Sequence, residues 1–385
     1  MIHIQNPSDC CGCSACASIC PRDAISMEPD SMGFLYPKVD MEKCVDCGLC
    51  ERVCAFGNHY DVSRNLTVPK AYAIRHKDLS EVETSRSGAA FIALTDWILH
   101  QGGVVYGAGY ADHFRVVHKR AATKQQRDEF KGSKYVQSDM GNVFRQVRAD
   151  LKNGFKVLFS GTPCQTSGLL SFIGNRLRDN LYVVDIVCHG VPSPYIWKDY
   201  LAYQEHKNNC VFDDVSFRNK SICGWADHKE SFSYKGKVVV SSIYTRLFYK
   251  HIMFRHSCGV CHFTNLKRSS DITIADFWGW EKTDANINKD NKGVSLVFVN
   301  TEKGVDWLSE INTSIHIIPV KIDNCLQPNL QRPSEIHPKR DDFEKDYSAK
   351  GLDFVLHKYG IIGYKYNYSV LKRKFRTLIR LICKR

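Results

Sequence analysis

Residues 9–25 read DCCGCSACASICPRDAI, with Cys10, Cys13, Cys16 and Cys20 separated by two, two and three residues and followed by Pro21. The run returns at residues 43–56 as KCVDCGLCERVCAF, where Cys44, Cys47, Cys50 and Cys54 repeat the spacing. A [4Fe-4S] cubane needs four thiolates arriving from different directions. Three closely spaced Cys wrap one cluster, and the fourth of each run reaches across to the other. On that logic Cys10, Cys13, Cys16 and Cys54 hold one cluster, and Cys44, Cys47, Cys50 and Cys20 hold the second. Cys11 falls outside the pattern. A pair of four-thiolate zinc sites is the competing reading, but zinc sites rarely repeat this spacing twice with a Pro. Ala55 stands where a second Pro is expected, which loosens that turn without removing a ligand. The stretch therefore predicts a small bacterial-type ferredoxin-like domain over residues 1–62, built to move single electrons.

Nine of the 17 cysteines crowd into the first 54 of 385 residues. The opening MIHIQNPSDC lacks the basic and apolar segments of a secretory signal. Thiolate ligands in a reducing cytoplasm therefore suit the cysteines better than disulfides. No apolar run approaches the roughly 18 residues of a membrane span. The net charge of +12 invites a nucleic-acid partner. However, residues 365–385 carry eight Lys or Arg and no acid, so the rest of the chain carries only +4. The basicity belongs to a tail rather than a groove, and nucleic acid is not supported.

After a polar connector, YDVSRNLTVP, the pattern changes to strand–turn–helix units. GVVYGAGYA and FRVVHKRA read as strands, and AAFIALTDWILHQG and MGNVFRQVRADLKNG as helices closed by glycine. KVLFSGTPC and LYVVDIVCHG are apolar strands running into turns, each followed by a helix. Such units in series predict an α/β (α+β) core with a mixed sheet, its βαβ portions pairing in parallel.

A third set of cysteines lies in this core. Cys164 falls where a strand meets a helix N-terminus, a position that favours thiolate. Cys188 ends the next strand at the matching level, and Cys258 and Cys261 form a C-x-x-C. Together they can hold one more cluster. The alternatives are buried core thiols for the first two and half a zinc knuckle for the pair, with His256 or His262.

The segments TSRSGAAFIALTDWILHQGGVVYGAGY, FKGSKYVQSDMGNVFRQVRADLKNGFKVLFSGTPCQTSGLL, VCHGVPSPYIWKDYL and CGVCHFTNLKRSSDITIADFWG resemble, in order, the coenzyme F420 hydrogenase/dehydrogenase beta-subunit family, over roughly residues 70 to 340. The resemblance implies that residues 68–163 and 164–345 are the family's N- and C-terminal domains, leaving 346–385 as a basic tail. It implies FAD beside a third [4Fe-4S] cluster on Cys164, Cys188, Cys258 and Cys261. Cys11, Cys210, Cys223, Cys325 and Cys383 are then left as packing or surface thiols. It also implies electron exchange between a ferredoxin-type donor or partner redox subunit and a deazaflavin or other organic substrate, such as a glycan precursor in polysaccharide synthesis. A subunit that only feeds a partner enzyme is the alternative.

A flavin converts the single electrons of clusters into a hydride. Its candidate contacts are Ser87 and Gly88 before a helix, Gly132, Ser133 and Lys134 in KGSKY, and Asp276 in ADFWGW with Trp278 and Gly279. The family usually has a second glycine where Ala89 stands. His189 is a candidate proton donor, with a purely structural role weighed against it.

The tail sequence YSVLKRKFRTLIRLICKR places Leu371, Phe375, Leu378 and Ile382 on one stripe, with Lys372, Arg373, Arg376 and Arg380 around it. A basic amphipathic helix of this kind can lie peripherally on the inner face of the cell membrane.

Overall fold

A computed structural model describes residues 1–57, 60–368 and 371–372. The first strands, β1 (Ile25–Pro29) and β2 (Leu35–Val39), form an antiparallel hairpin between the two cysteine runs, pairing Ile25 with Val39. Next come β3 (Asn65–His76), β4 (Val104–Ala111), β5 (Arg115–Ala121), β6 (Val157–Gly161) and β7 (Leu181–Ile186). The chain continues through β8 (Asp214–Ser216), β9 (Glu230–Tyr234), β10 (Lys237–Ser241), β11 (Ile272–Asp276), β12 (Ser295–Thr301) and β13 (Ile315–Val320).

Eight of these strands build one sheet in the order β13-β3-β12-β11-β7-β6-β4-β5, and β10-β9-β8 form a separate small sheet. The central β4, β6, β7 and β11 run parallel, while β5, β12, β3 and β13 are antiparallel to their neighbours. The fold is thus a mixed α/β sheet preceded by a small ferredoxin-type domain. β12 is buried along its whole length, as is the Val157–Phe159 part of β6. Both lie under cover on their two faces, which is why they read as continuous apolar runs.

The polar connector is only partly a loop, because β3 begins at Asn65 inside it. Val68 is exposed and Pro69 breaks the apolar pattern, yet Ala71, Ala73 and Ile74 are buried between β12 and β13. The large sheet draws strands from both 68–163 and 164–345, and the helix Arg340–Lys358 crosses residue 346 to bury Phe343, Tyr347, Val355 and Leu356. Of the tail sequence 368–385, only Tyr368, Leu371 and Lys372 are among the described residues. Among the described residues no helix is long and apolar enough to cross a membrane.

The ferredoxin-type module is docked tightly against the core. Met32 and Phe34 are fully buried in the same apolar cluster as Trp197 and Phe254. Arg145 donates to the carbonyls of Ser18 and Cys20 at 2.9 and 3.2 Å and pairs with Asp23 at 2.6 Å. At Gly168 a Cβ would stand 2.7 Å from the Cys13 sulfur, so the module seats where only glycine fits.

Candidate redox site

The cysteines gather in three places. Cys20, Cys44, Cys47 and Cys50 line one small cavity, joining the fourth Cys of the first run to the first three of the second. Cys10, Cys13, Cys16 and Cys54 lie close enough to feel one another's charge. Cys164, Cys188, Cys258 and Cys261 line another small cavity together with Cys11, Phe56 and Arg255.

Local chain geometry explains the third gathering. Cys164 is the second residue of the helix Pro163–Ile173, whose entry is fixed by a reciprocal Thr162–Gln165 cap. Cys188 follows β7, parallel to β6, so both cysteines emerge at the carboxyl edge of the sheet. That edge is where open α/β sheets place their ligands. Cys258 and Cys261 lie on and just after a short 3-10 turn, His256–Val260, behind them.

Backbone N–H groups point at these sulfurs: Gly12 at Cys10 (3.3 Å), Ala24 at Cys20 (3.3 Å), Ile2 at Cys50 (3.2 Å), Gly190 at Cys188 (3.4 Å) and Val191 at Cys258 (3.4 Å). Such bonds favour thiolate and tune a cluster held there. Burial, with mutual repulsion, pushes the Cys258 and Cys261 thiols up to about 12 and about 11, and pushes Cys188 well above its ordinary value too. Buried thiols of this kind ionise only when a cation answers them, and bound metal does this outright. Among the described residues no three His, Cys, Asp or Glu side chains converge as a single ion requires. The thiols instead stand around cavities, as the walls of a cage do, and the donor set fits an iron–sulfur cluster.

Cys11, which the spacing leaves without a role, is buried between two of these sets. Its thiol lies close enough to those of Cys13 and Cys164 to act on them, which raises Cys11 while holding Cys13 and Cys164 down. No spacing rule could have shown this, because the partner Cys164 is far along the chain.

A larger cavity of about 350 Å³ opens beside the third set. Ser87, Gly132, Ser133, Lys134, Asp276 and Trp278 all line it, whereas Gly88 and Gly279 do not. Cys188, His189, Gly190 and Val191 line both this cavity and the four-cysteine one, so a single turn of chain separates them. His189 is hydrogen-bonded to His251 at 2.7 Å.

Several singled-out residues are already engaged. Lys134 Nζ donates to the carbonyls of Glu129 and Lys131 at 2.8 and 3.0 Å, and burial lowers its pKa to about 7. The Ser87 hydroxyl donates to the Val294 carbonyl. Ala89, at the N-cap of the helix Ala90–His100, adopts φ +62°, the left-handed conformation that a glycine would take without strain.

Asp276 faces two guanidiniums, Arg218 and, at 3.7 Å, Arg86, and accepts from Trp225 Nε1 at 3.1 Å. Burial opposes its charge, but the two arginines outweigh that and hold the carboxyl below its usual range. Sequence reasoning missed Arg218, Trp225 and His228. The only signal was a cation amid aromatic residues in VSFRNKSICGW.

The folded carboxylate binds its proton less readily than the unfolded one. Its stabilising effect is therefore complete above the ordinary value of 3.8 and is lost as pH falls through the lower folded value. Asp276→Asn is expected to lose this acid limb and to destabilise the fold by about 3 kcal/mol, by leaving two buried guanidiniums unanswered. Urea unfolding at pH 3 to 7 checks both.

Comparison with known proteins follows this division. Residues 9–58 match the 4Fe-4S dicluster domain, and residues 154–324 match the C-terminal region of the coenzyme F420 hydrogenase/dehydrogenase beta subunit. The chain is therefore an iron–sulfur electron-transfer protein. Specifically, it is related to the beta subunits of the coenzyme F420 hydrogenases and dehydrogenases, and carries a 4Fe-4S dicluster domain ahead of the matching region. Over 45 residues it is 44% identical to one component of the Na(+)-translocating ferredoxin:NAD(+) oxidoreductase complex of Acetobacterium woodii, a match spanning 12% of each protein. A chain of the F420-reducing [NiFe] hydrogenase complex from Methanosarcina barkeri aligns with 16% identity and a TM-score of 0.46, over 76% of this chain and 91% of that one.

Proposed function

We propose that the protein is a flavin- and iron–sulfur-dependent oxidoreductase of the cytoplasm. In this reading the four-cysteine cavity at Cys164, Cys188, Cys258 and Cys261 holds a third [4Fe-4S] cluster and the 350 Å³ cavity holds FAD. When bound, these groups would supply one-electron storage and its conversion to hydride chemistry for an organic substrate or deazaflavin. The observation that carries the reading is the shared wall Cys188–Val191, which leaves a single turn of backbone between the two sites.

The chain's own residues then have defined tasks. Ala89 and Ala90, at the start of the helix Ala90–His100, line the cavity, and the positive end of that helix suits phosphate oxygens. Arg86 Nε and Nη1 and Arg218 Nε are buried on its wall without hydrogen-bond partners, and suit an anionic or carbonyl-bearing ligand. Trp278, backed by Trp225 stacked 4.5 Å from it, gives the wall a flat aromatic face.

Anaerobic purification followed by iron, sulfide and flavin analysis tests this. About twelve irons and one FAD per chain are expected. Iron no higher than two clusters hold, or no flavin, overturns it.

The matched beta-subunit family supports a second reading, in which the chain feeds a partner enzyme and has no substrate of its own. Turnover by the isolated chain favours the first reading. Stoichiometric co-purification with a catalytic partner, without such turnover, favours the second.

A further inference from the structure

Arg255 is fully buried, yet no carboxylate among the described residues lies within the 4.0 Å of an ion pair. A buried guanidinium without an anion is costly to keep, so its counter-charge must lie elsewhere. All three of its side-chain nitrogens donate at the junction between the two redox regions. Nε donates to the Cys10 carbonyl at 2.7 Å, one Nη to the Leu35 carbonyl at 3.0 Å, and the other to Gln137 Oε1 at 3.0 Å. Gln137 Nε2 in turn donates to the Cys11 carbonyl at 2.8 Å. The ring of Tyr36, 4.0 Å from the guanidinium carbon, closes one side. On the other side, a Cβ on Gly12 would stand 2.8 Å from Nη1.

Arg255 also lines the Cys164, Cys188, Cys258 and Cys261 cavity. Through the Cys10 carbonyl and Gly12 it also lies directly against the chain that carries Cys10 and Cys13 of the first set. The outer cavity of Cys20, Cys44, Cys47 and Cys50 does not include it. Beyond the Asp30 carboxylate, which its charge reaches, the anions that can answer Arg255 in the cavity it lines are the sulfur ligands themselves.

We propose that Arg255 is a positioning residue that sets the reduction potentials of the two inner clusters jointly, by placing one dry positive charge between them. This rests on the reading that both inner cysteine sets hold clusters. Reduction adds negative charge to a cluster, and a cation fixed beside two of them favours the reduced form of each. Lys retains that charge, whereas Gln retains only part of the hydrogen bonding.

The test is a redox titration of the anaerobically isolated full chain, followed by paramagnetic resonance. In Arg255→Gln, the reduced-to-oxidised ratio of both inner clusters at fixed poise is expected to fall about tenfold, with the outer cluster unmoved. Arg255→Lys should stay near wild type. Equal shifts at all three clusters, or none, would overturn the proposal. Should Arg255→Gln fail to hold iron, Gln137→Glu decides the matter, since it sets a carboxylate against the same guanidinium. Both inner clusters must then shift the same way, and unmoved potentials reject the role of Arg255. Failure of the underlying three-cluster reading shows separately, as wild-type iron too low for three clusters.

Discussion

On the proposed three-cluster, flavin-binding reading, Cys188→Ala is expected to yield a folded chain with about two thirds of its iron and its flavin still bound. Electrons from dithionite or a ferredoxin-type donor should reach the ferredoxin-type module but stop there. Flavin reduction by that donor should slow by at least about a hundredfold, the upper end of what even an outer-shell substitution costs a metal site. Cys188 is the decisive position because it borders both cavities. Cys325, buried elsewhere in the sheet's other flank, provides the control: Cys325→Ala should leave iron and electron flow unchanged. Iron analysis and anaerobic stopped-flow spectra at the flavin band make the measurement. Full iron in the Cys188 variant would remove that residue from any cluster.

The second large effect is one of packing. A Cβ on Gly88 would lie 2.2 Å from the Ile74 carbonyl oxygen and 2.7 Å from the Ser295 amide nitrogen. These two residues face each other across β3 and β12, so the clash is with sheet backbone, which cannot turn aside. Gly88→Ala should cost about 3 kcal/mol or more, toward and beyond the upper end for overpacking. Urea denaturation should show this as a lower midpoint at unchanged slope. Gly132→Ala, where a Cβ meets nothing within 4 Å but φ is +77°, should cost only about 1 kcal/mol. A cost at Gly88 no greater than at Gly132 would refute the packing account.

Gly88 also shows how far the sequence carries. Read alone, Ser87–Gly88 before a helix suggests a phosphate cradle. The structure gives the glycine a different reason, the closeness of two strands that lie more than 200 residues apart in sequence. The cysteine runs were legible because cluster ligation is encoded in short spacings, and the parallel strands because β6 and β7 each carry a core of apolar residues, Val157–Phe159 and Val183–Val184. β3 was not legible as a strand from its start, since its first half extends beyond β13 and stays polar. Arg255 and Gln137 gave no local signal either, because each acts only through partners brought near by docking. Lys134 was visible as a cation beside small residues, but its commitment to the Glu129 and Lys131 carbonyls is a property of the folded loop.

The seating of residues 1–57 has a consequence for how such a molecule is supplied. Held by Arg145, by Arg255 and by a glycine contact at Cys13, the N-terminal module cannot act as a tethered shuttle that swings between donor and acceptor. On the proposed reading every internal hop then keeps a constant length, and variation is confined to the first step, at the outermost loop. There Met41 and Val45 stand 64% and 62% exposed beside solvent-facing Cys47. On the proposed reading, a visiting carrier is expected to meet that apolar tip, so that the chemistry of its surface would set the pace of loading.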